Sequence, residues 1–332
     1  MERYRIPEYN DRTMTAPHVV IIGAGASLAA CGEDRNGNKV PILKNIAEIG
    51  PISELLLKFK YQPEACIDFE SFYSDIYNKP DCKKLCLELE NEIYNYFSNL
   101  ELPDKINLYD YLLLSLTKKD LIISFNWDPF LLQAYKRNMH IEGVRLPQIS
   151  FPHGNVGVGI CYTCKTKGYY NEKCNKCKND LKKMPLLFPI GQKNYEKHSI
   201  IRNEWEMARR NLKKAAGITI FGYSAPVTDT SAVELLKCAF QESNSIKIAP
   251  FTIINLPKER KKQYERWRGF YDESQIVYCK KFQDTILWKN PRLSLESHYS
   301  TVLQQRPFKN SKSMKKFKSL FDLQEFIKTI TY

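Results

Sequence analysis

The stretch HVVIIGAGASLAA, beginning at His18, constrains the fold of this chain more than any other feature. A short apolar, β-branched run reads as a strand, and the chain then turns through Gly23 and Gly25 into small residues suited to a helix start. Glycines so placed let the backbone pass close to a pyrophosphate aimed by the N-terminus of the following helix. The third glycine of the usual dinucleotide fingerprint is absent, with Leu28 in its place. No acidic residue stands at a convincing distance for a ribose hydroxyl either. The motif alone is as compatible with a structural turn as with a nucleotide.

Beyond that turn, strand-like and helix-like segments alternate. From about residue 51 to 117 the pattern is helical, with CKKLCLELENEIYNYF and INLYDYLLLSL placing apolar residues at helical spacing. DLIISF reads as a buried strand, and DPFLLQAYKR as a helix opened by Asp128 and Pro129. NEWEMARRNLKKAA is an amphipathic helix with Trp205, Ala208, Leu212 and Ala215 on or near one face, followed by GITIFGYSAP, a strand ending in a Gly-containing turn, the helix DTSAVELLKCAF and the strand PFTIINLP. Such alternation predicts an α/β fold with a doubly wound parallel sheet. After about Asp272 only DLQEFIKTI stands out, as a terminal helix.

The charge balance, 50 basic against 37 acidic residues, favours polyanionic ligands but says nothing of fold. Between Arg306 and Lys318 lie six basic residues and no acidic one: a solvated surface segment, or a contact to nucleic acid or a partner. No apolar run is long enough to cross a bilayer, and no apolar stretch follows the charged N-terminus, so a cytoplasmic protein without membrane contact is expected. In that setting scattered cysteines act as small buried hydrophobes, whereas paired ones bind metal.

Cys161 and Cys164, then Cys174 and Cys177, form two Cys-x-x-Cys knuckles able to place four thiolates tetrahedrally around zinc. Four thiolates leave no open position, so the metal is structural. Lysines 165, 167, 173, 176 and 178 allow a nucleic-acid finger, but the module is embedded between sheet elements and lacks a recognition helix. His153 ends PQISFPHG, at the carboxyl edge of an expected strand, where open α/β sheets bind ligands. A histidine there is either catalytic or a hydrogen-bonded structural residue. In SFNWD, Asn126 and Asp128 stand at another such edge, an amide to orient a substrate and a carboxylate to accept from an amide; equally, Asp128 caps the next helix.

The order of these motifs (Gly-Ala-Gly-Ala-Ser, Asn-x-Asp, His-Gly, two Cys-x-x-Cys pairs, Gly-Tyr-Ser, Ile-Asn) resembles the sirtuin superfamily over roughly residues 18–256. Within it the chain looks most like divergent bacterial sirtuin-like domains of anti-phage systems, which cleave NAD; DFESF, with Glu70, is similar to an acidic segment of that branch, and no role attaches to it. The resemblance implies a Rossmann-like domain over 1–272, with a helical insertion at about 51–117 and a zinc ribbon at about 158–183, and a basic, partly helical C-terminal extension over 273–332. It implies NAD as substrate and structural zinc. By motif, Gly23, Ala24, Gly25 and Ser27 would hold the pyrophosphate, and Asp128 the nicotinamide carboxamide. Asn126 would position the ribose or the attacking water, and His153 would serve the ribose hydroxyls. Gly222 and Ser224 would contact phosphate or ribose, and Asn255 the adenosine ribose.

Three departures separate the chain from protein-deacylating sirtuins. The loop LAACGEDRNGNKVP lacks their Phe and Arg, Phe125 replaces the glutamine before the motif asparagine, and LLFPIGQK only loosely matches their Phe-Gly-Glu. All three lie where an acylated peptide is handled. The expected activity is therefore hydrolysis of NAD to nicotinamide and ADP-ribose, held in restraint until activated by self-assembly into a homo-oligomer, by a separate partner defence protein or by a phage component. The alternatives are a lysine deacylase and a non-enzymatic nucleotide- or nucleic-acid-binding subunit.

Overall fold

The computed structural model describes residues 14–188, 198–225, 230–241, 249–267, 276–305, 308 and 312–330. Strand β1 (His18–Ile22) leads through helices α1 (Ala24–Ala30), α2 (Gly50–Lys58), α3 (Phe69–Tyr77), α4 (Lys83–Ser98) and α5 (Leu108–Ser115) to β2 (Leu121–Ser124). Helix α6 (Phe130–Asn138) then leads to β3 (Gln148–Ser150). Strands β4 (Val158–Cys161), β5 (Thr166–Tyr169) and β6 (Lys182–Lys183) follow as a small antiparallel ribbon. Next come α7 (Ser199–Lys214), β7 (Gly217–Phe221), α8 (Thr230–Gln241), β8 (Phe251–Ile254), α9 (Arg260–Trp267) and β9 (Ile276–Cys279). The chain closes with α10 (Ile286–Lys289), α11 (Ser294–Gln304) and α12 (Leu320–Lys328), the last over the expected terminal helix.

Among the described residues the main sheet is six-stranded, in the order β3-β2-β1-β7-β8-β9, with every pair parallel. Its inner strands HVVII, LIIS, GITIF and FTII are buried along their whole length, as strands covered on both faces must be. In chain order the strands lie 3-2-1-4-5-6, the doubly wound arrangement. The direction of winding reverses between β1 and β7. Right-handed crossovers then put the helices of the two halves on opposite faces: α5 packs on α6 and α1, and α7 packs on α8. Helix α7 buries Ile201, Trp205, Ala208 and Leu212 at spacings of three and four, the stripe its sequence announces.

The C-terminal residues add β9 to the sheet edge and then cross to α5, where Trp288 packs on Tyr111 at 4.8 Å between ring centroids. Met314 and Phe317 anchor the basic segment, the Phe317 N–H donating to Tyr111 Oη at 3.1 Å, while Lys312, Lys315, Lys316 and Lys318 are exposed. Arg306 and Lys309 lie outside the described residues. His18, which the sequence leaves without a role, is a core residue: its ring nitrogens meet Ser294 Oγ and Thr219 Oγ1 at 3.0 and 2.9 Å. Burial pushes its pKa down to about 3, so it stays neutral. Among the described residues no helix is long and apolar enough to cross a membrane.

Candidate functional site

The reversal point of a doubly wound sheet opens a crevice at the carboxyl ends of its strands. Here β1 ends in Gly23–Gly25 and β7 ends in Gly222, and the two turns lie against each other. Gly23 N–H donates to Phe221 O and Gly25 N–H to Gly222 O, both at 3.1 Å. A Cβ on Gly25 would stand 2.9 Å from Gly222 Cα, and one on Gly222, whose φ is +62°, would stand 2.3 Å from Ala26 N. Only glycine permits this approach, so close packing of the two turns is a sufficient reason for both residues.

Beneath the turn lies a buried polar cluster that joins three elements. Asn126, just beyond β2, directs its Nδ2 to Gly23 O (3.0 Å), Ser27 Oγ (2.9 Å) and Tyr109 Oη (3.2 Å). A backbone carbonyl can only accept, so Gly23 O fixes which end of the amide is nitrogen. Among the described residues no donor sits on Asn126 Oδ1. Ser27 Oγ donates to Asp128 Oδ2 at 2.6 Å and lies 2.7 Å from Tyr109 Oη. With the Ser27 proton committed to the carboxylate, the tyrosine donates. The other Asp128 oxygen accepts the Phe130 N–H at 3.2 Å, so this residue also serves the start of α6, as its position suggests. Burial is the main influence on Asp128 and raises its pKa to about 6, against the lowering effect of the Ser27 hydrogen bond. Burial likewise holds the Tyr109 phenol well above its ordinary range.

Two members of this environment escape a sequence reading. Tyr109 sits in a helix legible only as an apolar stripe; nothing in INLYDYLLLSL distinguishes a cluster tyrosine from a core one. Its position depends on Asp110, which caps α5 by accepting the Asn107 N–H (2.9 Å) and binds Arg137 Nε (2.7 Å) and Asn138 Nδ2 (2.8 Å). Asn155 directs its Nδ2 to the carbonyls of Asn126 (3.0 Å) and Asp128 (2.7 Å) and thereby sets the backbone that presents both side chains. Its one visible signal is its place two residues after His153.

His153 follows β3 on the same edge of the sheet and is 8% exposed. Its ring lies edge-on to Phe125 at 4.7 Å between centroids, and Phe125 stacks on Tyr223 at 4.4 Å. The turn that carries it is clamped from two sides. Leu187 N–H donates to His153 O at 2.9 Å, and a Cβ on Gly154 (φ +79°) would stand 2.1 Å from Pro185 O. Behind the turn, Glu204 of α7 accepts the Phe151 N–H (2.8 Å) and pairs with Lys167 of β5 at 2.8 and 2.9 Å. This lysine of the cysteine ribbon is thus used inside the protein, tying the ribbon to β3, which leads into the turn carrying His153.

The remaining candidates lie nearer the rim. Ser224 is exposed and its carbonyl accepts from Arg266; Asn255 is half-buried, with Oδ1 on the Leu256 N–H at 2.7 Å. Ala24 opens α1 and Glu70 lies in the first turn of α3. Of LLFPIGQK, Pro189–Lys193 fall outside the described residues, whereas Phe188 packs on Trp127 and Tyr73 at 4.9 and 5.2 Å.

At the ribbon, the sulfurs of Cys161, Cys164, Cys174 and Cys177 all lie within 4.8 Å of one another, and Cys161 Sγ and Cys177 Sγ are 3.4 Å apart. Four thiolates about 2.3 Å from one zinc ion stand about 3.8 Å from each other, so this cluster fits a closed structural zinc site. The knuckle backbone offers N–H groups to sulfur: Cys164 N–H points at Cys161 Sγ (3.4 Å), and the N–H groups of Cys177 and Lys176 lower the Cys174 pKa, while the hydrogen bond to the Cys177 thiol raises that of Cys164.

No family model matches the chain, and neither does any curated protein. Among solved structures it is similar to a Sir2 homologue in complex with NAD, at 15% identity over 78% of this chain and 82% of that one, with a TM-score of 0.39. It is similar also to Sir2 bound to acetylated peptide (14% identity, 87% and 93% covered, TM-score 0.39) and to a Sir2 homologue with ADP-ribose (14%, 87% and 94%, 0.38). At these scores the likeness carries no residue's role to this chain.

Proposed function

We propose that this chain hydrolyses the nicotinamide–ribose bond of NAD, releasing nicotinamide and ADP-ribose. The observation that carries the reading is the Asn126–Ser27–Asp128–Tyr109 cluster at the reversal point of a 3-2-1-4-5-6 sheet, with His153 on the same strand edge. In the reaction water adds to the ribose C1′ while the C–N bond breaks, and the bonding pair returns to the pyridinium nitrogen. Nicotinamide thus leaves neutral and needs no strong acid. The barrier lies in the cation-like ribose, so a catalyst gains most from orientation and fixed dipoles.

The residues suit that division of labour. The Asn126 amide nitrogen is held by three acceptors, so its Oδ1 is the fixed acceptor for a ribose hydroxyl or for the attacking water. His153, packed on Phe125, takes the proton that the attacking water gives up as it bonds to C1′, passed through a ribose hydroxyl that is reprotonated in the same step. Asp128 holds the carboxamide. Ser27, expected from the sequence at the pyrophosphate, is fully buried with its hydroxyl bonded to Asp128, Asn126 and Tyr109, and with Tyr109 it keeps the cluster in register instead. Gly23, Ala24 and Gly25 carry the pyrophosphate, with Gly222 and Ser224 beside them and Asn255 at the adenosine ribose. Phe125 fills the position from which a deacylase would assist its peptide, which favours hydrolysis over deacylation. The sequence resemblance supplies the setting, NAD depletion in bacterial anti-phage defence, with activity gated by self-assembly or a partner.

Nicotinamide release from NAD, with and without an acetyl-lysine peptide, tests the reading. Peptide-independent release that disappears in Asn126→Ala and His153→Ala, with melting temperature retained, supports it. Release that requires the peptide, or full activity in both variants, overturns it.

A further inference from the structure

The pairing of β2 with β3 ends at Ile123 and Ser150, short of the turns that carry Asn126, Asp128 and His153. Beyond it the two turns are joined again by donors from two consecutive residues. Asn155 Nδ2 donates to Asn126 O (3.0 Å) and Asp128 O (2.7 Å), and Val156 N–H donates to Trp127 O (3.0 Å). Three consecutive carbonyls of one turn are thus held from the other. The holding segment is itself braced from outside: Tyr94 Oη of α4 donates to Val156 O (3.3 Å), and Tyr170 N–H, just past β5, donates to Gly157 O (2.8 Å).

Asn155 is the centre of this clamp. It is fully buried, so it acts through other residues and not by touching a substrate. Both ends of its amide are assigned: the two carbonyls can only accept, and Oδ1 accepts the Gly157 N–H at 2.9 Å. The clamp sets the separation between Asn126, whose Oδ1 is the fixed acceptor, and His153, two residues back along the chain. Rates depend steeply on such a separation, a displacement of about 1 Å being able to cost about 100-fold. The pyrophosphate and adenosine contacts proposed at Gly23–Gly25 and Asn255 are made by other segments. A disturbed clamp should therefore lower kcat and leave KM nearly unchanged.

We propose that Asn155 is a positioning residue that holds the His153 turn and the Asn126–Asp128 turn in working register; its effect on rate rests on the NAD reading, its effect on the position of His153 does not. Asn155→Ala removes the clamp in the full chain. Gly157→Ala is the milder second variant. Its Cβ would stand 3.2 Å from Asn155 Oδ1 and 3.1 Å from Leu132 Cδ1, which displaces the clamp by a few tenths of an ångström and leaves every partner present. Tyr299→Phe removes a buried donor to Ala216 O (3.0 Å) at the opposite end of the strands, and controls for stability lost without movement of the turns. Two quantities are read: kcat and KM for nicotinamide release from NAD, and the imidazole proton resonances of His153, identified by their loss in His153→Ala. Asn155→Ala should lower kcat by about tenfold or more, keep KM within about threefold and shift the His153 resonances. Gly157→Ala should move kcat and the resonances the same way by less, and decides alone if Asn155→Ala does not fold. Tyr299→Phe should move neither. Unmoved His153 resonances, a loss confined to KM, kcat within about twofold of the parent in every folded variant, or an equal loss in Tyr299→Phe would overturn the proposal. If the parent protein releases no nicotinamide, the NAD reading falls, and the resonances still decide whether Asn155 holds the turn.

Discussion

Asp128→Asn should make the protein more stable at neutral pH. The carboxyl is almost wholly buried, and its pKa rises from the ordinary 3.8 to about 6, chiefly through burial. The sign follows from proton binding. Below pH 3.8 folded and unfolded chains both hold the proton. As pH rises toward 6 the unfolded chain releases it first, so stability is lost across that window and does not return above it. At about 1.4 kcal/mol per pH unit, the interval amounts to about 3 kcal/mol. Asparagine occupies the same volume. Its Oδ1 can keep the Phe130 N–H, but Ser27 Oγ already accepts from Asn126 and Tyr109 and loses the acceptor for its own proton, which offsets about 1 kcal/mol of the charge removed. Melting temperatures of both proteins from pH 4.5 to 8 should therefore diverge, the variant ahead by about 3 °C at the upper end. Asp120, which burial also raises, is common to both and cancels in the difference. Parallel profiles would refute the reasoning. If Asp128 holds substrate as proposed, the stabilised variant also loses nicotinamide release, the exchange expected where function has retained a costly charge.

Lys167→Ala strands the Glu204 carboxylate, which is 3% exposed, and should cost about 3 kcal/mol by chemical denaturation; adding Glu204→Gln should recover most of that loss. Gly222→Ala forces a Cβ to 2.3 Å from Ala26 N at a φ of +62°, and should destabilise by about 3 kcal/mol or more, read as lost soluble protein or a lowered melting temperature. Tyr109→Phe removes the donor to Ser27 Oγ from a fully buried site and should cost about 1 kcal/mol in the same denaturation assay, with the fold kept and nicotinamide release reduced. Metal analysis should find one zinc per chain, absent in Cys174→Ser, and chelation should lower the melting temperature.

What could be read from the sequence and what could not differ in range along the chain. The inner strands, α7 and the cysteine knuckles were legible because each is encoded over a few residues, by an unbroken apolar run, a three-to-four spacing or a pair of ligands. Strand β9 was not, since IVYC at a sheet edge carries no long apolar run and is recognised only by its pairing with β8. The Lys167 ammonium offered nothing to separate it from its neighbouring lysines until α7 brought Glu204 beneath it. The glycines at 23 and 25 suggested a ligand-facing turn, but their tightest contact is with the turn at Gly222, nearly two hundred residues later.

The sequence by itself determined the alternation of strand and helix, hence a parallel sheet, and the four-sulfur metal site, because periodicity and short spacing are local properties of a chain. Only the tertiary structure decided which polar groups share a site. Ser27, Tyr109 and Asn126 meet because β1 and β2 are neighbours and α5 crosses back over α1. Such meetings depend on how crossovers pack rather than on any residue's own preference, so no single segment records them.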